Sequence, residues 1–278
     1  MSDDLLALFH RHVCQTSSDP MGLVVDRARG AWVWDTDGNA HLDLLAGMGV
    51  ANVGHAHPDV LAAARAQMDR HLHVMVYGEM VQEAQVRLAT RLAALLPDTL
   101  DRVYFTSTGA EAIEGAMKTA RKHTGRPGFV AFERGFHGDT FGALSLGGNP
   151  RYTDPFRPLL PDVRLLPFDR TEALGAIDDT IAAVVVEPVQ AEAGVRIPSG
   201  AFLRALRARC DAVGALLVFD EVVTGFGRTG RRFAFEHWDV RPDLLVLAKA
   251  LGGGLPLGAF VGASARSRPS LTIPPSRT

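Results

Sequence analysis

From about residue 100 onward, short apolar runs recur at Val103–Phe105, Phe129–Phe132, Val163–Leu166, Ala182–Val186, Leu216–Phe219 and Leu244–Leu247. Stretches with apolar residues at helical spacing separate several of them, at Glu111–His123, Thr171–Ile177 and Ala201–Val213. Compact apolar runs are what strands buried on both faces require, whereas a half-exposed strand would alternate apolar with polar. Strands alternating with helices predict an α/β fold whose mostly parallel sheet is covered on both sides. Upstream, Ala31–Trp34 and Ala40–Leu44 flank the turn sequence Asp35-Thr-Asp-Gly38 and predict a β-hairpin. Helices are predicted over Asp59–His71 and Glu79–Leu96, the second ended by Pro97. This organisation divides the chain into an N-terminal segment, 1–55, a large domain, 56–262, and a tail, 263–278. The tail is rich in Ser, Arg and Pro, lacks an apolar period and is expected to be disordered.

Bulk composition narrows the function classes. With 278 residues, 47% hydrophobic and 22% charged, the chain can build one sizeable core. A net charge of −2 gives no basic surface for nucleic acid. The acidic start, Met1-Ser-Asp-Asp4, is unlike a secretory signal, and no apolar stretch is long enough to span a membrane. Cys14 and Cys210 read as free thiols, small and apolar, in a reducing compartment, so a cytoplasmic location is expected. The basic residues are more pointed: 26 are Arg and only three are Lys, at 118, 122 and 249. Where Arg serves for ordinary positive charge, a retained Lys raises a chemical question, because Lys forms imines and releases protons and Arg does neither. Lys118 and Lys122, one helical turn apart, read as a solvated helix face.

Lys249 has a different setting. Three apolar runs end in ionisable groups: Val186 is followed by Glu187, Phe219 by Asp220 and Ala248 by Lys249. Ligands of parallel α/β sheets bind beyond the carboxyl ends of the strands. Charges at strand ends are ordinary singly; three together, with Gly252-Gly-Gly254 after the lysine, favour a site approached by a bulky ligand. Thr108 stands where it can cap the helix that follows Val103–Phe105, and the free amides of Gly109 and Ala110 at the helix start form a phosphate cradle. Alone it is a cap; beside an imine-forming lysine it becomes the phosphate end of an aldehyde cofactor.

These residues are ordered as in a known family. Thr108-Gly-Ala-Glu-Ala112, Phe136-His-Gly138, Glu187-Pro-Val-Gln190, Asp220-Glu-Val222, Gly225-Phe-Gly-Arg-Thr-Gly230 and Lys249-Ala-Leu-Gly-Gly-Gly-Leu-Pro-Leu-Gly258 together resemble the class III (ω-type) aminotransferases over residues 20–262. The resemblance implies the large domain of the aspartate-aminotransferase-like fold, fold type I of the transferases dependent on pyridoxal 5'-phosphate (PLP). It implies an enzyme that moves an amino group from an amine or amino acid, of ornithine, acetylornithine, diamine or aminobutyrate type, to a 2-oxo acid such as 2-oxoglutarate. It assigns the Schiff base and proton transfer to Lys249 and the pyridine-nitrogen partner to Asp220. Phe136 and Val222 would cover the two ring faces, His137 and Glu187 would support the ring, and Thr108, Gly109 and Ala110 would hold the phosphate. Glu192 stands where ornithine-type relatives guard the substrate carboxylate, or is a plain loop glutamate. Tyr77 falls near the substrate pocket of relatives, or is a core or interface tyrosine. No metal is called for, and a homodimer is expected.

Departures are few up to Gly262. Ala110 replaces a commoner Ser or Thr, Ala191 a commoner Gly, and Val223 a Gln of some relatives. Beyond that point the family pattern stops, which implies a C-terminally truncated chain lacking the small domain. An aminomutase, or an inactive fragment of an aminotransferase, are the competing expectations.

Overall fold

The computed structural model describes residues 2–75 and 79–263. It divides into two compact units, Met1–Val74 and Met75–Thr278. The division falls after residue 74 rather than 55, so the helix Pro58–Arg70 belongs to the first unit. The predicted tail from 264 onward and Tyr77 lie outside the described residues.

The first unit carries the helix Ser2–His12 and a three-stranded antiparallel sheet, β1 (Val25–Arg29), β2 (Trp32–Asp35) and β3 (Ala40–Leu42). The hairpin was predicted; β1 and the first helix were not. Asp43 ties the segment after β3 together, accepting from Leu45 N, Ala46 N and, at 2.6 Å, His55 Nε2. Cys14 is exposed in this unit, contrary to the expectation of a small buried residue, whereas Cys210 in the second unit is buried.

The second unit is built on seven strands: β4 (Arg102–Thr106), β5 (Gly128–Phe132), β6 (Val163–Leu166), β7 (Ile181–Val186), β8 (Leu216–Asp220), β9 (Leu244–Leu247) and β10 (Gly258–Gly262). Their spatial order is β4-β10-β9-β8-β7-β5-β6. All run parallel except β10, which pairs antiparallel with both β4 and β9. Six of the seven were predicted. β10 was missed because Gly-Ala-Phe-Val-Gly has little strand propensity of its own and is held by its two neighbours. The predicted helix at Thr171–Ile177 is a 3-10 turn, Thr171–Ala176.

The core follows strand alternation. On one face Phe129, Ala131, Ala183, Val185, Val218 and Val246 pack with Ala112, Ile113 and Ala116 of the helix Gly109–Thr124. On the other, Val130, Val184, Leu217, Phe219, Leu245 and Leu247 pack with Phe202, Leu203 and Leu206 of the helix Gly200–Val213. Each helix ends on a left-handed glycine, Gly125 (φ 70°) and Gly214 (φ 71°), a residue that takes this conformation without strain.

β10 enters the sheet against the loop after β4 with no room to spare. A Cβ on Gly258 would lie 2.3 Å from the Thr108 carbonyl oxygen and 2.6 Å from Thr106 Oγ1. Gly258→Ala is therefore expected to cost about 1–3 kcal/mol by overpacking. The check is the midpoint of chemical unfolding; an unshifted midpoint contradicts the close approach.

Candidate active site

β4, β5, β7, β8 and β9 all run the same way, so their carboxyl ends share one edge of the sheet. Each delivers a residue singled out in the sequence. Asp220 is the last residue of β8, Glu187 follows β7, Lys249 begins the turn after β9, Phe136 and His137 lie on the loop after β5, and Thr108 caps the helix after β4.

Packing brings them together. Asp220 Oδ2 lies 2.7 Å from His137 Nδ1, both side chains buried. Asp220 Oδ1 accepts from Val222 N at 3.0 Å, which fixes the carboxylate plane. Glu187 Oε1 accepts from Phe136 N at 2.9 Å and Oε2 from Ala191 N at 3.2 Å. A Cβ on Gly109 would lie 3.2 Å from Val222 and 3.3 Å from the Ala248 side chain, and one on Gly138 would lie 2.6 Å from that of Ala110. The cradle, the two apolar walls, the buried pair and the lysine turn are thus one contiguous region.

The cradle has an internal division of labour. Thr108 Oγ1 accepts from Glu111 N at 3.1 Å, and Glu111 Oε2 accepts from Thr108 N and Ser107 N at 3.0 and 2.9 Å. The capping box consumes those amides and leaves Gly109 N and Ala110 N, at the positive end of a sixteen-residue helix, for an anion. The Thr108 hydroxyl accepts one bond and keeps its proton to donate.

Lys249 is half-buried and its backbone is left-handed, φ 45°. A non-glycine residue held there stores strain of about 1–3 kcal/mol, a feature that clusters at ligand-binding positions.

Burial sets the electrostatics. Burial alone would lower the His137 pKa, but the hydrogen bond and charge of Asp220, with the charge of Glu187, outweigh it and raise it. Burial pushes Glu187 up to about 7, partly countered by His137. Glu192 is exposed; with Arg134, Phe136 and Tyr152 it lines a cavity of about 380 Å³.

Sequence reasoning missed Glu221. It is fully buried, accepts from Ala234 N at 2.6 Å, Phe235 N at 2.9 Å and Thr224 Oγ1 at 3.1 Å, and so closes the glycine-rich segment 224–235 onto the end of β8. The signal was present: two acids ending one buried strand are sent to opposite faces. Burial raises Glu221 to about 7 despite those three donors. Between 4.5 and about 7 the unfolded carboxyl has lost its proton and the folded one retains it. Stability therefore falls as pH rises through that window and levels above it, by up to roughly 3 kcal/mol per carboxyl. Glu221→Gln should flatten this slope. Urea midpoints at pH 5 and pH 8 check it; a variant with the wild-type slope excludes Glu221 as a source.

A family model for aminotransferase class-III matches residues 13–269. The chain is 49% identical over 253 residues to the acetylornithine aminotransferase of Methanopyrus kandleri, covering 90% of this chain and 64% of that one. Its structure resembles the ornithine aminotransferase of Toxoplasma gondii ME49, with TM-score 0.89 and 31% identity over 99% of this chain and 66% of that one. It also resembles the PLP-bound amine transaminase of an uncultivated Pseudomonas species, with TM-score 0.85 and 32% identity, covering 92% and 65% respectively. The chain thus spans about two thirds of the length of these relatives.

Proposed function

The chain belongs to the class III aminotransferases, and on that premise we propose that it binds pyridoxal 5'-phosphate and transfers an amino group from an amine or amino acid to a 2-oxo acid such as 2-oxoglutarate. The observation that carries this reading is the buried Asp220–His137 pair, set on the same strand edge as Lys249 and next to the Gly109–Ala110 amides. The residues fit the group. The edge offers an imine-forming amine, a buried acceptor, an amide cradle and backbone approaches, at Gly109 and Gly138, that a Cβ would close.

When bound, the cofactor supplies an electron sink that no protein side chain provides. Lys249 Nζ would hold its aldehyde carbon and, as a free amine, would carry the proton leaving substrate Cα. Asp220 would face the ring nitrogen, and His137 Nδ1, 2.7 Å from Oδ2, orients that carboxylate. Phe136 and Val222 would flank the ring and exclude water from it. Glu187, through Phe136 N, sets the height of the aromatic wall. Gly109 N, Ala110 N and the Thr108 hydroxyl would hold the phosphate.

The reading extends to a homodimer in the cytoplasm. Val81, 92% exposed, and Phe141, 65% exposed, are large apolar side chains that a partner surface would cover. The unpaired, exposed thiol of Cys14 suits a reducing compartment.

Protein incubated with pyridoxal 5'-phosphate is expected to gain the visible absorbance band of a lysine-linked cofactor. Lys249→Ala should lose it, and Asp220→Asn should keep it while slowing transfer by at least about 100-fold. No band in the wild-type chain defeats the reading.

A further inference from the structure

The loop after β5 carries Phe136 and His137, and carboxylates from two other elements hold it on either side of them. Glu187, at the end of β7, accepts from Phe136 N. Glu114, in the second turn of the helix Gly109–Thr124, holds the far side.

Glu114 Oε1 accepts from Thr140 Oγ1 at 2.7 Å, Gly142 N at 2.9 Å and Ala143 N at 3.2 Å. Gly142 and Ala143 lie in the first turn of the five-residue helix Phe141–Ser145, so their amides have no acceptor within it. Thr140, the N-cap residue, makes no side-chain cap bond to that helix; its hydroxyl donates to Glu114 instead. The cap is thus supplied by a carboxylate 26 residues away in sequence. Glu114 is half-buried and closely seated: a Cβ on Gly142 would lie 2.3 Å from its Oε2.

The place of Glu114 on its own helix gives this cap a consequence. Ala110 and Glu114, at i and i+4, share one helix face. Ala110 offers a cradle amide, and its side chain is the surface on which Gly138 rests, where a Cβ would come to 2.6 Å. One face of one helix therefore presents the Ala110 amide, the seat for Gly138 and the cap for residues 140–143. His137, next to Gly138, meets Asp220 at 2.7 Å. Of the two carboxylates holding the loop backbone, Glu114 is the one that measures from the cradle.

We infer that Glu114 is a positioning residue for the cofactor ring: by capping the helix Phe141–Ser145 it holds Phe136 and His137 at a fixed distance from the phosphate cradle. The inference rests on the proposed cofactor reading, which supplies the ring and the phosphate. Glu114 acts through the loop and not by contact with the cofactor. Its loss leaves the Gly109 and Ala110 amides in place and frees the wall that the ring rests on.

The test compares two ligands that share an anion and differ by the ring. The dissociation constant of pyridoxal 5'-phosphate is read from its visible band, and that of inorganic phosphate from its competition with the cofactor. Both bring an anion to the same helix start, so their ratio cancels the charge change there and isolates the ring. Glu114→Ala should raise the ratio of cofactor to phosphate constants about tenfold. Glu114→Gln keeps an acceptor oxygen and should recover most of that loss. Lys118→Gln, an exposed control one turn along the same helix, should match wild type. Thr140→Val deletes one of the three donors and should raise the ratio about threefold, which decides the matter if the alanine variant does not fold. Affinities for both ligands that fall in proportion, leaving the ratio unchanged, show a cap that serves the fold alone and overturn the inference. A glutamine variant no better than alanine overturns it too. Absence of the band in wild type is a different result: it defeats the cofactor reading, and this inference falls with it.

Discussion

In β8 the side chains alternate between two buried faces, and the chemistry of the whole edge depends on that parity. Leu216 and Val218 face the helix Gly109–Thr124, and Leu217 and Phe219 face the helix Gly200–Val213. The alternation carries Asp220 to the first side, where His137 answers it, and Glu221 to the second, where the Ala234 and Phe235 amides answer it. The same parity in β7 sends Glu187 to the side of Asp220. A one-residue slip in β8 would exchange the carboxylate that meets His137 for the one that binds backbone amides.

Lys249 is where parity has to be broken. Leu245 and Leu247 face the helix Gly200–Val213, so a strand continued through 249 would place the lysine on the wrong side, opposite Asp220. Ala248 still obeys, lying against the Gly109 position. The left-handed backbone at Lys249 ends the alternation at that residue. The strain is local, and the glycines at 252–254 let the chain turn back into β10, whose tight seat on Thr108 braces the cradle from behind.

This account also explains what could be read in advance. β7 and β8 were legible because continuous apolar runs can only be buried on both faces, and the ionisable residues ending them followed. Asp220, Glu187 and Lys249 were singled out by adjacency to those runs. What escaped depends on tertiary context. β10 owes its existence to two neighbours, and Arg134 and Lys249 adopt a backbone conformation that their residue types do not advertise. Glu221 escaped because an acid after a strand reads as solvated until parity is counted through to the core side. The His137–Asp220 pair joins residues 83 apart in sequence, which no local pattern encodes.

The buried charges on the cofactor face do not balance, and the imbalance has a sign. Two carboxylates, Asp220 and Glu187, share the surroundings of one imidazole, His137, whose pKa is raised by both. Once His137 and Asp220 are paired, an ionised Glu187 is surplus negative charge in a poorly solvated place, and burial accordingly lifts it to about 7. Such a region favours any cation that can reach Asp220, and a protonated pyridine nitrogen is one. On the proposed reading the phosphate joined to it would sit at the opposite kind of place, the positive end of a helix at Gly109 and Ala110. The edge is therefore polarised along its length, acidic where β7 and β8 end and positive at the helix start beyond β4. That polarity selects a ligand with a cationic ring nitrogen at one end and an anion at the other.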